Sequence, residues 1–312
     1  MNALLLSSTS FLEDLDTLLE SGKDLAALDS LRRGLTEIRS SSSPRQWRAF
    51  CANTLSGDKF CRRPLSNLLK NGPLAGSCHG ATPTLIHDPH VLDSIYGLDA
   101  VPQDLTCGAN LLQEWELALG FCESLRARHQ FLIRELNELG DSVPRPRILA
   151  LGAGHLREAS SALCLNNMSG GELVAFDRDP ACIDLIESEY DYPGLCTFSG
   201  SLRQLIHDPA LGRFDLIYLP NLSDILEDLR LKALLEGLLP LLRRGGRLLS
   251  ANFCPDLEDA AYLEGRLDWW PIYRDEEEWA QLLGELPCQN LRGQAVFRDR
   301  SEGSVLIDLQ VN

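Results

Sequence analysis

Apolar residues recur at helical spacing through the first third of the chain, and the pattern then changes to short runs. Residues 1–40 predict helix, with apolar positions stepping through Phe11-Leu12-Glu13-Asp14-Leu15 and Leu25-Ala26-Ala27-Leu28. The run Ser40-Ser41-Ser42-Ser43-Pro44 predicts a break or mobile hinge. More helical pattern follows from Arg45 to about Lys70, with Trp47, Phe50 and Phe60. The Gly/Pro/His-rich stretch from Asn71 to Pro89 predicts a loop long enough to need a purpose, such as covering a site. Leu111 to Leu139 predicts one long amphipathic helix, stopped by Pro144 and Pro146. The expected division is therefore a helical N-terminal extension and lid over 1–143 and a core over 144–312.

Within that core, apolar runs alternate with helical patterns. Strands are predicted at 147–151, 173–177, 195–199, 214–219 and 246–252, and helices at 156–166, 180–189, 202–207 and 226–242. Such alternation specifies an α/β fold, a parallel sheet with helices on both faces. Ligands of these sheets bind at the carboxyl ends of the strands, near the point where strand order reverses.

The candidate chemistry falls at those ends. The run Arg147-Ile148-Leu149-Ala150-Leu151 stops at Gly152-Ala153-Gly154, where a β-carbon would block a ligand's approach to the backbone. The next run, Leu173-Val174-Ala175-Phe176, ends in Asp177. A glycine turn after one strand and an acid at the tip of the next suit the two hydroxyls of a ribose. The bland alternative is a Gly-Ala-Gly that only turns a corner. A dinucleotide site would want a third glycine where Arg157 stands, and no Gly-Lys-Ser/Thr ending cradles phosphates. With 45 acidic against 29 basic residues the net charge is -16, which disfavours polyanions and nucleic acid as partners. A nucleoside without phosphates remains, and S-adenosylmethionine (SAM) leads.

The 10 cysteines are scattered without a Cys-x-x-Cys pair, which fits a reducing cytoplasm better than a disulfide framework or zinc site. His79, His87 and His90 lie near Asp88 and Asp93 without compact ligand spacing, so no metal is expected. No apolar run reaches membrane-spanning length, and the start lacks the positive charge of a secretory signal, so the expectation is a cytoplasmic protein acting on a small molecule. The oligomeric state stays open.

The constellation resembles the class I SAM-dependent methyltransferases over residues 111 to 312. It is carried by Gly-His-Leu-Arg-Glu (154–158), Gly-Ser-Leu-Arg-Gln-Leu (200–205), Gly-Arg-Phe-Asp-Leu-Ile-Tyr (212–218), Gly-Gly-Arg-Leu-Leu-Ser-Ala-Asn-Phe (245–253) and Leu-Asp-Trp-Trp-Pro-Ile-Tyr-Arg (267–274). Together these look like a narrower bacterial subgroup with fatty-acid (3-hydroxypalmitate-type) methyltransferases and azetidine-2-carboxylate synthases. The resemblance implies a Rossmann-like, mostly parallel sheet of seven strands. It also implies roles: Gly152, Ala153 and Gly154 under the methionine part and ribose, and Asp177, with Arg178 beside it, at the ribose hydroxyls. Ser201 and Leu202 would flank the adenine, and Leu219, Pro220 and Asn221 would border the methionyl and reacting end. Arg128 would be either a partner for the SAM carboxylate or a solvated helix-face charge.

Two departures from the family pattern shape the reaction expected. Ala150 stands where most such enzymes carry an acid that helps hold the SAM ammonium. Upstream of Asp93-Ser94-Ile95-Tyr96, the acceptor-side segment is rewritten as His79-Gly80-Ala81-Thr82-Pro83-Thr84-Leu85-Ile86-His87-Asp88. The reading therefore leans to cyclisation of SAM: its amine attacks its own γ-carbon, releasing methylthioadenosine and giving azetidine-2-carboxylate. An apolar pocket favours the neutral amine, while the aromatic faces of Tyr96, Tyr218, Trp269, Trp270 and Tyr273 would still seat the ammonium by cation–π attraction. The catalytic candidates are Tyr96, Tyr218, Asn221, Trp269 and Tyr273. The alternative is methyl transfer to a carboxylate or hydroxyl of a small or fatty acid; a silent SAM sensor comes third. Plainer roles stand beside these: one of Trp269 and Trp270 as core, Tyr218 as packing, His155 as turn structure, Asn221 to Asp224 as a helix cap, and Asp275 to Glu278 as a solvated helix start.

Overall fold

The computed structural model describes residues 2–69, 74, 89–98, 107–162, 171–208, 210–286 and 291–312. In chain order the helices before the sheet are α1 (Asn2–Glu20), α2 (Asp24–Ser40), α3 (Pro44–Phe50, continued by a π-helical turn Cys51–Leu55), α4 (Asp58–Cys61), α5 (Pro64–Leu69), α6 (Pro89–Tyr96), α7 (Cys107–Leu117) and α8 (Gly120–Ser142). Then come β1 (Arg147–Leu151), α9 (Glu158–Ser161), β2 (Glu172–Asp177), α10 (Pro180–Glu189), β3 (Leu195–Ser199), α11 (Leu202–Ile206), β4 (Phe214–Leu219) and α12 (Asp228–Leu238). The chain ends with β5 (Leu242–Phe253), α13 (Ala260–Arg266), α14 (Glu276–Gly284), β6 (Leu291–Arg298) and β7 (Ser304–Val311). These elements form two compact units: Met1–Glu123 with Glu258–Trp270, and Ser124–Leu257 with Pro271–Asn312.

The second unit holds one seven-stranded sheet in the order β3-β2-β1-β4-β5-β7-β6. β1 to β5 run parallel, and β7 lies antiparallel between β5 and β6. Because successive strand side chains point to opposite faces, each central strand feeds two cores. Ile148, Ala150, Leu173, Ala175, Leu216 and Tyr218 join Phe131, Leu132 and Leu136 of α8 and Ile183 and Ile186 of α10 on one face. Leu149, Leu151, Val174, Phe176, Ile217 and Leu219 join the leucines of α12 and Trp279 of α14 on the other. Strand order reverses between β1 and β4, which opens the carboxyl edge where the glycine turn lies.

Several boundaries differ from expectation, each for a physical reason. Residues 1–40 form two helices separated by a turn at Gly22. The serine run is a capping box: Ser43 and Gln46 satisfy each other's free amides, with Pro44 opening α3. The helix expected from Leu111 to Leu139 is α7 plus α8, because the Gly120 amide donates to Asp259 Oδ2 at 2.5 Å and starts a new helix there. A β-carbon at Gly120 would lie 3.2 Å from that oxygen. The helix expected over 226–242 ends at Leu238, Pro240 sits in a 3-10 turn, and β5 begins at Leu242 rather than at 246. At Gly246 a β-carbon would meet Arg243 O at 2.9 Å and Phe214 O at 3.0 Å, where the β4–β5 register shifts. The helix expected over 156–166 is the short α9, residues 163–170 lying outside the described part. The expected loop over 71–89 lies outside it too, except for Leu74 and Pro89.

The first unit is helical and is tied together by buried acids. Glu264 of α13 accepts Trp47 Nε1 at 2.6 Å and both Arg39 donors at 2.9 Å. Asp259 accepts Arg32 Nε at 2.5 Å besides the Gly120 amide. Glu116 of α7, fully buried, accepts Tyr262 Oη at 2.7 Å, and burial pushes its pKa up to about 7. Among the described residues no helix is long and apolar enough to cross a membrane.

Candidate active site at the carboxyl edge of the sheet

The turn after β1 is wound tightly. Gly152 and Gly154 adopt φ of 66° and 53°, and Leu156, a residue with a full side chain, adopts 53°. For L-residues this left-handed region is disfavoured, so burial of Leu156 in the core holds it there. The Ala153 amide donates to Phe176 O at 3.0 Å, which folds the turn onto the end of β2. A β-carbon on Gly152 would lie 3.3 Å from Leu222 Cγ and would sit on left-handed backbone, so glycine suits the close approach of the turns after β1 and β4.

Asp177 ends β2 half-buried, with both oxygens oriented. Oδ2 accepts the Gly154 amide at 2.8 Å and Oδ1 accepts the Asp179 amide at 2.9 Å. Each carboxylate oxygen keeps further lone pairs for donors such as hydroxyls. Asp179 caps α10 through the Ala181 amide, with Pro180 in its first turn, so the acid is held by the helix behind it. Arg178 is exposed. After β3, Ser201 is exposed at the start of α11 and Leu202 is half-buried.

The turn after β4 is built on two buried arginines. Arg128 of α8 is 2 % exposed, so the solvated-charge reading of it does not hold. Its Nη1 donates to Asp224 Oδ2 at 2.6 Å, to Pro220 O at 3.2 Å and to Asn221 Oδ1 at 3.3 Å, and its Nε donates to Ser304 Oγ at 2.7 Å. Its guanidinium lies 4.0 Å over the Phe253 ring. Arg128 Nη2 is buried and has no hydrogen-bond partner among the described residues. Asp224 also accepts the Phe253 amide at 2.7 Å, so the Asn221-to-Asp224 stretch, a 3-10 turn at Leu222–Asp224, is an ion-paired joint rather than a helix cap. Arg274 closes the joint from the other side, donating to Ser223 O and Asn252 Oδ1, both at 2.8 Å.

Tyr218 is 1 % exposed, and its hydroxyl donates to Glu158 Oε1 at 2.5 Å. It pairs in register with Ala150 across β1 and β4, and Ala150 pairs with Ala175 across β1 and β2. Burial pushes the Glu158 carboxyl above its ordinary pKa, against the opposing hydrogen bond from Tyr218.

Gly152, Ala153, Gly154, Asp177, Arg178, Ser201, Leu202, Pro220 and Asn221 thus lie at or beside the carboxyl ends of β1 to β4 in one unit. Leu219 is at the same end, but its side chain is in the core, which leaves its backbone to border a ligand. Tyr218, Asn221 and Tyr273 belong to this unit; Tyr96 and Trp269 belong to the helical one. There Trp269 packs edge-on against Phe121 at 6.3 Å, and Trp270 donates to Asp268 at 2.7 Å with Arg48 lying 4.3 Å over its ring. His155 is buried in the glycine turn, and Asp275 caps α14 in a capping box with Glu278. The residues missed by sequence reasoning are Glu158, Asp224, Asn252 and Arg274. All four stood in quoted segments, but only the fold reveals their partners: Tyr218 for Glu158, Arg128 for Asp224, and Asn252 for Arg274.

No family model and no curated protein matches the chain. Among solved structures it is similar to a possible exported protein from Bordetella parapertussis, with TM-score 0.62, 16% identity, and 85% of this chain and 93% of that one covered. It is also similar to a candidate methyltransferase from Thermobifida fusca YX, with TM-score 0.52, 15% identity, and 76% and 98% covered. The likeness shows the fold, the Rossmann-like seven-stranded sheet of class I methyltransferases.

Proposed function

We propose that the sheet unit binds S-adenosylmethionine and that the protein is a SAM-dependent methyltransferase acting on a carboxylate or hydroxyl of a small or fatty acid. One observation carries the reading: Asp177, fixed by the Gly154 amide, faces a turn whose glycines hold left-handed conformations. That geometry suits a ribose diol, and the sequence has neither the third glycine nor the Gly-Lys-Ser/Thr ending of a phosphate cradle. Arg128 Nη2, a buried donor, suits the ligand's carboxylate. Pro220 and Asn221 would border the transferred methyl. In-line attack on a sulfonium needs positioning and removal of water, and a carboxylate acceptor needs no base. No metal enters this reading.

A second reading, cyclisation of SAM to azetidine-2-carboxylate, is favoured by the Ala150–Tyr218–Glu158 arrangement. It puts a phenol and a shielded acid where a permanently charged carboxylate would hold the amine protonated. Tyr218 and Tyr273 would line the amine end. Pure protein incubated with SAM alone and analysed by mass spectrometry tests both. S-adenosylhomocysteine formed only with an added fatty or small acid supports transfer, and methylthioadenosine with azetidine-2-carboxylate and no acceptor supports cyclisation. Absence of SAM binding by calorimetry overturns both.

A further inference from the structure

Glu158 is a buried acid of the sheet unit that the transfer reading leaves without a task and that the cyclisation reading uses only as a shielded group beside Tyr218. It opens α9, four residues after Gly154, and is 7 % exposed. Among the described residues its carboxyl has one side-chain partner, the Tyr218 hydroxyl. Among the described residues no cation is ion-paired to it. Arg157, next to it in sequence, is ion-paired to Glu189 and hydrogen-bonded to Tyr190, which lies on the α10 side of Glu158. His155 Nδ1 lies 3.5 Å from Arg157 Nη2. α8 contributes Phe131, Leu132 and Leu136 to the same cluster, and its Glu135 is turned to Arg247. On the sheet beneath are Ala150, Ala175 and Tyr218.

A carboxylate shielded this way, answered only by a neutral phenol, is costly to charge. A cation brought close in a low-dielectric wall reverses that balance. We propose that Glu158, acting through Tyr218, is the positioning residue that matches the ammonium of the bound ligand, ionising when that ammonium arrives. The acid's O–H bond breaks, the electron pair stays on the carboxylate, and the proton passes to solvent. Tyr218, donating to the resulting anion, then turns its oxygen lone pairs toward the ligand's amino-acid end. The inference rests on the adenosyl reading of the glycine turn and adds how its amine end is recognised.

Titration calorimetry tests it, using S-adenosylhomocysteine, which carries the ammonium but cannot react, and methylthioadenosine, which lacks the amino-acid end. Each is titrated in two buffers of different ionisation enthalpy over a pH series. The expected result is release of up to about one proton per site with S-adenosylhomocysteine in the acidic part of the series, and none with methylthioadenosine. In Glu158→Gln the release disappears, and preference for S-adenosylhomocysteine over methylthioadenosine falls roughly tenfold or more. Tyr218→Phe, which keeps the ring, lowers the same preference and moves the pH at which protons are released. Binding of S-adenosylhomocysteine to the wild type without proton release, or release persisting in Glu158→Gln, overturns the proposal while leaving the adenosyl site standing. Failure of both ligands to bind the wild type overturns the site itself, and this inference with it.

Discussion

Each of the two units has its own internal means of cohesion, and the two means differ. The sheet unit encloses two continuous apolar clusters, one on each face of its seven-stranded sheet. The helical unit has apolar faces as well, but its helices are joined by buried carboxylates. Trp47 and Glu264 meet from positions 217 apart, and Arg32 and Asp259 from positions 227 apart. Apolar burial tolerates many partners, whereas a buried acid must find its particular donors or lose stability. The helical unit is therefore specified by a few long-range pairs, and the segment Glu258–Trp270 brings three of their members.

The sheet unit has such pairings too, chief among them the joint after β4, and breaking it should have the largest effect. Asp224→Ala leaves the buried Arg128 without its counter-charge and should cost about 3–5 kcal/mol. Denaturant unfolding of the full chain measures this; a loss below 1 kcal/mol would refute the joint.

Next comes the acid at the centre of the helical unit. Glu116 has its pKa raised to about 7 by burial, so the folded form prefers the proton. Stability from this group is complete below the ordinary carboxyl range, falls as pH rises toward 7, and is flat above it. The expected loss is about 3 kcal/mol across that window. Hydrogen exchange of the α2 and α7 amides should follow it, and Glu116→Gln should remove the slope. A slope unchanged in the variant would show that another group carries it.

A smaller effect is expected at the ligand edge. Asp177→Ala should weaken S-adenosylmethionine binding by about 2 kcal/mol, roughly thirtyfold, with little change in unfolding. Unchanged affinity by calorimetry would remove Asp177 from the ribose. Smallest is the cap: Asp275→Ala should cost about 1 kcal/mol, with fraying confined to α14 in hydrogen exchange.

Legibility followed the same division. The strands 147–151 and 214–219 stand where the apolar runs put them, because a buried parallel strand is a largely apolar run between turn residues, and the edge strand 195–199, with no buried residue, also falls where expected. The Gly152 turn and Asp177 were legible for a related reason: few residues tolerate a left-handed turn, and an acid at a strand tip is conspicuous against its apolar neighbours. The α7–α8 break was not legible, since it depends on an Asp259 carboxylate far along the chain. Glu158 looked like any polar residue at a helix start until Tyr218 was seen to reach it.

By itself the chain determined its periodicities, hence the five parallel strands, most of its helices, and a glycine bend followed by an acid. These are local properties, set by backbone sterics and by which side of each element must leave water. Only the tertiary structure decided which acids pair with which donors, that Arg128 is buried rather than solvated, and that Ala150 sits beside a tyrosine holding a shielded carboxyl. Such pairings arise between residues remote in sequence. Their worth depends on exclusion of water, which only the assembled fold supplies.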